Sequence, residues 1–511
     1  MKKILISTIA VSALFFTISC ETDFDTDVSS IQVTNGEANF SKYVSLGNSL
    51  TSGFRDNALY IDGQNDSYPN IMAQQMKLAG GGAFVQPLMA DNNGGLILGG
   101  TVVQATKLYI KSFTNGAPDI VNVNATPTTN VATKITGSLN NMGIPGAKSF
   151  HLITPGYGNI AGVSTGTANP YYARFSSSAT SRVLDDAIAQ KPTFYSLWIG
   201  NNDVLSYATT GGMGTDQKGN TNPATYGPND ISDPAVVAGS IQTILQTFKN
   251  SGVTKGVIAN IPSVTSIPYF TTVPYNPLTP AALGANLSVL NASLYTTLKQ
   301  ALTAFGAGNR INLLSATATN PVLIKDVSLT NLSAELTLAL TPSLGAPTAA
   351  AFGQIYGQAR QSTPGDYILL PTKSVIGSTV SGAPASINVY GISYPLENQH
   401  VLTEAEAAKV KAAVDAYNAS IKSLADSYGL AFVDANAKMN ELNGLSGIQF
   451  DGVKYTAKFV TGGTFSLDGV HLTGRGYAIV ANEFLKMINQ KYKSTLPMVE
   501  VNKYQGVTFP K

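Results

Sequence analysis

Four short blocks, far apart in the chain but met in a fixed order, constrain this sequence more than its composition does: Gly47-Asn48-Ser49-Leu50, Asn141-Met142-Gly143-Ile144-Pro145-Gly146, Gly200-Asn201-Asn202-Asp203 and Asp468-Gly469-Val470-His471. Together they hold a hydroxyl, an imidazole with a carboxylate three residues upstream, and glycine and asparagine residues able to present N–H donors. A neutral hydroxyl becomes a nucleophile only with a base beside it, and the oxyanion it generates needs donors already in place. These are therefore the residue types that acyl transfer through serine requires. Because they run from position 47 to position 471, a single centre would draw on both ends of the chain. That favours one large domain, with any smaller unit inserted inside it.

Between the blocks, strand-like and helix-like segments alternate. Lys42 to Leu46 reads as a first buried strand, Thr193 to Ile199 and Thr254 to Ile261 as further short apolar strands, and Leu430 to Val433 as a last one. Helices are expected from Tyr68-Pro69 to Met76, after the cap Asp233-Pro234, from Leu283 to Phe305, from a Thr403/Glu406 capping box to Gly429, and from Thr473 onward. Repeated β-then-α order argues for a parallel sheet covered by helices on both faces, with its site at the carboxyl ends of the strands. Ser49 and Asn202 both follow expected strands. Extra material falls near 80–135, 205–232, 262–282 and 311–400, rich in Gly, Pro, Thr, Asn and Ser; loops of that length are uncommon without function. Within it the apolar stretch from Leu329 to Ile355 reads either as a wall over the site or, more plainly, as a helix packed on the core.

The four blocks resemble those of the SGNH (GDSL-type) serine hydrolase family of esterases and lipases, in family order. The resemblance implies a three-layer α/β/α sandwich with a central, mainly parallel sheet (flavodoxin-like) carrying long loop insertions. It makes Ser49 the nucleophile, His471 the base and Asp468 its partner, with an oxyanion hole from Ser49, Gly146 and Asn202; with only His151, His400 and His471 as imidazoles and no His-x-x-x-His or His-Glu pairing, no cofactor or metal is expected. One position departs: the family's first block usually reads Gly-Asp-Ser-Leu, and here residue 48 is Asn. Asn48 keeps an acceptor oxygen of the same reach without the charge, and is expected to support the site as Asp203 does beside Asn202. Taken singly, Ser49 reads better as a helix cap, Gly146 as a turn after Pro145, and Asn202-Asp203 as a helix start; it is the joint occurrence that points to chemistry.

The first 19 residues, Met-Lys-Lys and an apolar run from Ile4 to Ile18, have the form of a secretory signal too short to span a bilayer as a mature helix. The run ends at Cys20, the only cysteine of the chain, and resembles a bacterial lipoprotein signal in which that cysteine carries the lipid. The acidic, polar segment from Glu21 to Ser30 resembles the one that follows the lipidated cysteine in surface lipoproteins of the Bacteroidetes. The expectation is a membrane anchor at Cys20 and an outer-membrane location, on the periplasmic or cell-surface side. The remaining divisions are a lipidated, flexible tether over 20–40, one hydrolase domain over 41–495 and a tail over 496–511. A lone cysteine at 20 excludes a thiol nucleophile or a cysteine-held zinc site in the folded part. Without Lys2 and Lys3 the 32 basic residues become 30, against 30 acidic ones, and a neutral surface gives no reason to expect nucleic acid. The partners expected are a small-molecule, lipid or glycan ester and the membrane. The competing expectation is a non-catalytic surface lipoprotein that binds glycan or lipid on the same scaffold.

Overall fold

The computed structural model describes residues 32–114 and 116–510; Cys20, the signal and the acidic segment after it lie outside the described residues. The sheet that organises the chain is made of β1 (Tyr43–Gly47), β2 (Asn141–Gly143), β3 (Phe194–Trp198), β4 (Gly256–Ala259) and β5 (Ala431–Val433), ordered β5-β4-β3-β1-β2. Every pairing is parallel, with Gly47 opposite Gly143 on one side and Trp198 on the other. β1, β3 and β4 are buried at every residue, as strands covered on both faces must be.

On one face α1 (Tyr68–Leu78) packs with α2 (Gly474–Tyr492), and α2 also crosses β4 and β5. On the other face α3 (Pro234–Asn250) packs against α4 (Glu404–Ser427). This is the three-layer α/β/α arrangement. The helix starts follow local chemistry. Asp233 caps α3 by accepting from Ala235 N–H at 2.7 Å, with Pro234 at the first helical position. At α4 the Glu406 carboxylate accepts from Thr403 N–H at 2.8 Å, and Thr473 caps α2 by accepting from Gly476 N–H.

Two expectations are corrected. The continuous helix from 283 to 305 is broken: Pro280–Leu283 stops at Gly284, whose φ is +52°, and Asn286–Leu290 passes through a π-helical turn, Asn291–Tyr295, into Thr296–Ala304. The Asn291 amide holds that turn by donating to Leu314 C=O and accepting from Leu314 N–H. The region around 80–135 is not only loop. It forms two hairpins, Leu96–Leu98 with Thr101–Gln104 and Leu108–Thr114 with Ala117–Asn122.

A second apolar cluster, separate from the one around the main sheet, is built from residues between 273 and 401, with Leu298, Leu323, Leu336 and Tyr356 at its centre. The stretch from Leu329 to Ile355 belongs to it. Helices Ser333–Leu344 and Ala346–Tyr356 turn back on each other at Gly345 and bury Leu336, Leu340, Phe352 and Tyr356 there. The inserted region reaches the Asp468–His471 loop instead through Leu370. At the other end, residues 34–40 lie along the C-terminal part of the chain: Thr34 N–H donates to Thr495 Oγ1, and Phe40 is buried.

Candidate active site

β1 ends at Gly47, where a Cβ would lie 2.1 Å from Thr51 Oγ1 and 2.4 Å from Trp198 C=O, so only glycine lets the chain turn tightly from strand to helix here. Asn48 caps the single-turn helix Ser49–Ser52: its Oδ1 accepts from Leu50 N–H at 3.0 Å. Its Nδ2 donates to Asn201 Oδ1 at 2.9 Å, tying the first block to the third. Asn48 is buried, so the amide at this position satisfies two partners with no buried charge. Ser49 is thereby presented at the carboxyl end of β1, at the start of a helix, where its own N–H has no intrahelical acceptor.

His471 meets it from the other end of the chain. Nε2 lies 2.9 Å from Ser49 Oγ, and Nδ1 lies 2.9 Å from Asp468 Oδ2. The carboxylate is held on every side: Oδ1 accepts from Val470 N–H and His471 N–H, each at 2.8 Å, and from Ser466 Oγ, while Oδ2 also accepts from Asn57 N–H at 2.9 Å. Burial pushes the Asp468 carboxyl up, but the adjoining His471 and these hydrogen bonds outweigh it and hold the pKa well below the usual carboxylate range. Asp468 stays ionised at working pH, fixing the proton on Nδ1 and leaving Nε2 as the acceptor toward Ser49.

Several residues of this support were not singled out in the sequence. Asp56 and Asn57 sit consecutively in the left-handed region, φ +52° and +60°, at the tip of a tight turn closed between Arg55 and Ala58. That turn delivers Asn57 N–H to Asp468. Asp56 Oδ1 accepts from Leu467 N–H and its N–H donates to Ser466 Oγ, so the turn clamps the acid loop at three points. Behind it Arg55 bonds Tyr60 and Asp66, and the Phe54 ring lies 4.7 Å from the His471 ring. The adjacent Asp-Asn pair is itself a signal, since these are the non-glycine residues most tolerant of positive φ.

Gly146 and Asn202 lie beyond the ends of β2 and β3, the strands flanking β1. Asn202 Nδ2 donates one hydrogen to Ala147 C=O at 2.9 Å, which fixes the amide plane and leaves its second hydrogen. Gly146 adopts φ +80° with open space where a Cβ would be. Among the described residues neither Ser49 N–H nor Gly146 N–H donates to a protein acceptor. Asp203 is fully buried and accepts from Ser149 N–H at 2.7 Å and Ser149 Oγ at 2.9 Å, locking the Asn202 helix to the segment after Gly146; burial raises its carboxyl pKa.

The other two imidazoles stand apart. His151 Nδ1 accepts from Lys148 N–H, its ring stacks on Tyr157 at 4.3 Å, and burial drives its pKa down to about 3. His400 stands beside Thr372 and Tyr390. No group of three or more His, Cys, Asp or Glu gathered for a metal occurs among the described residues.

Residues 335–484 match the model of the GDSL-like Lipase/Acylhydrolase family. That span holds Asp468 and His471; Ser49, Gly146 and Asn202 precede it, and Ser49 is joined to it by its bond to His471. No curated protein matches the chain. Two solved structures of variants of Axe2, an acetyl-xylooligosaccharide esterase from Geobacillus Stearmophilus, align at 11% identity over 89% and 88% of this chain and 96% and 95% of theirs, with TM-scores of 0.31 and 0.30.

Proposed function

We propose that this chain, which belongs to the GDSL-type (SGNH) family of ester hydrolases, cleaves carboxylic esters through an acyl-enzyme on Ser49. The observation that carries the reading is the unbroken run from Ser49 Oγ through His471 to an ionised Asp468, 2.9 Å at each step. Ser49 Oγ attacks the ester carbonyl carbon as His471 Nε2 takes its proton. The tetrahedral intermediate collapses, and the departing alcohol leaves with that proton. Water then repeats the sequence on the acyl-enzyme and releases the acid. The oxyanion is met by the N–H groups of Ser49 and Gly146 and by the free amide hydrogen of Asn202, donors that need no rearrangement when charge develops.

The alternative of a non-catalytic binding scaffold had Asn48 as its one support. Asn48 retains both bracing contacts, so the uncharged residue leaves the loop braced. The substrate is a lipid ester or an acyl group on a glycan, as the family suggests, and the enzyme is anchored through lipid at Cys20 to the outer membrane, a reading that rests on the sequence of the first 30 residues.

The test is hydrolysis of p-nitrophenyl esters from acetate to long acyl chains by the mature protein, with Ser49→Ala alongside and fluorophosphonate labelling of the serine. Turnover and labelling that vanish in Ser49→Ala are expected. Folded protein with neither would overturn the proposal. For the anchor, Cys20→Ala should release the protein from the membrane fraction.

A further inference from the structure

Behind the Asp468–His471 loop, between α2, the helix Ala435–Asn443 and the carboxyl ends of β3 and β5, lies a cavity of about 100 Å³. Its wall includes Leu50, the residue after the nucleophile, and Val470 and Leu472, which flank the base, together with Trp198, Met439 and Phe484. Two charged residues reach it, Lys438 and Glu483, and they bond each other at 3.0 Å, which leaves the cavity no unpaired charge to hold a polar head group.

We propose that this cavity receives the acyl chain of the ester cleaved at Ser49, and that it selects short aliphatic chains. The inference rests on the Ser49 reading above. Protein interiors leave few voids larger than a water molecule, and a dry cavity of about 150 Å³ takes a ligand the size of benzene. A slightly smaller apolar space, walled by the residue after the nucleophile and by both neighbours of the base, suits a chain of a few carbons, burying methylene groups for about 0.8 kcal/mol each. Leu50 follows Ser49 directly, lines the cavity and is partly exposed, which makes it the residue an entering chain would pass. Met439, unbranched and adaptable, is the wall residue best able to yield to chains of differing length.

Trp198 is the only tryptophan of the chain and forms part of the wall, so its fluorescence reports occupancy without any turnover. Full-length Ser49→Ala protein is titrated with terminally brominated fatty acids of increasing length, whose bromine quenches a nearby indole. Saturable quenching is expected, and Val480→Phe, which places a larger side chain in the wall, should weaken it at least tenfold. In the active protein, Val480→Phe should shift the preferred p-nitrophenyl ester toward acetate and Met439→Ala toward longer chains, opposite movements that simple destabilisation does not produce. Unquenched Trp198 in folded protein, or acyl preferences unmoved by both variants, would overturn the cavity assignment while ester turnover lost in Ser49→Ala kept the Ser49 reading intact. Quenching by a protein that hydrolyses no ester would overturn the identification of the occupant as a substrate acyl chain.

Discussion

Replacing Asp468 with Asn should harm catalysis more than replacing it with Ala, and the hydrogen bonds say why. An amide must put its NH2 group where one carboxylate oxygen was. At the Oδ1 position it would confront the N–H groups of Val470 and His471; at the Oδ2 position it confronts Asn57 N–H and the imidazole. The first choice sets two backbone donors against a donor and the second only one, a difference of about 1–3 kcal/mol for a buried unsatisfied group. The amide therefore turns its NH2 toward His471 and donates to Nδ1. The ring proton moves to Nε2, facing Ser49, and the base is lost. On the scale known for this tautomer error the loss in kcat is on the order of 10⁴. With Asp468→Ala, water can take up the freed donors and the imidazole keeps access to its productive tautomer, so the deficit should be at least about tenfold smaller, roughly 1.4 kcal/mol in the barrier. The assay is kcat and KM on a short-chain p-nitrophenyl ester, with circular dichroism to establish folding. An Asn variant within tenfold of wild type, or an Ala variant slower than Asn, would refute the reasoning.

Asn202→Ala should lower kcat by about 10²–10³ with a smaller change in KM, since the amide acts where charge develops; steady-state kinetics on the same ester decide it. Asn48→Ala strips partners from Leu50 N–H and Asn201 Oδ1 and should cost about 1–3 kcal/mol in denaturant unfolding. Asn48→Asp, which keeps the acceptor for Leu50 and asks only that the Asn201 amide rotate, should cost less than Ala. His151 has a folded pKa depressed to about 3, so its contribution is fully present above the unfolded histidine value and is lost as pH falls toward the folded one. Between about pH 6 and 4, His151→Phe should make stability fall less steeply, by up to about 1.4 kcal/mol per pH unit; parallel curves of unfolding free energy against pH would show that the ring is not held neutral.

What could be read in the sequence was whatever depends on a few neighbouring residues. Ser49, Asn202 and His471 belong to short segments whose backbone shape is set locally, and β1, β3, β4 and β5 are apolar runs of strand length. The capping signals of α3, α4 and α2 stand beside their helices for the same reason. β2 was not legible because three residues containing Asn and Gly become a strand only through pairing with β1. The turn at Asp56-Asn57 carries a local signal, but what it clamps was hidden, since its partners lie 410 and 411 positions away. The break in the 283–305 helix escaped the leucine spacing because the Asn291 bonds to Leu314 come from a separate segment. The second apolar cluster is assembled across a region whose composition reads as loop.

The bond between Ser49 and His471 spans 422 positions, and the strand that leads to Ser49 pairs with segments that follow it by some hundred residues and more. Closing contacts of such separation is slow, because chain entropy is lost before the contact repays it. A chain emerging from the ribosome or a translocation pore would therefore carry its nucleophile long before it could acquire its base. On the proposed mechanism, any fragment ending before position 468 would be chemically silent however well its first strands pair. Turnover at Ser49, on that mechanism, would be a clock for maturation: in a refolding experiment its onset would mark the docking of the C-terminal helix and loop rather than collapse of the sheet.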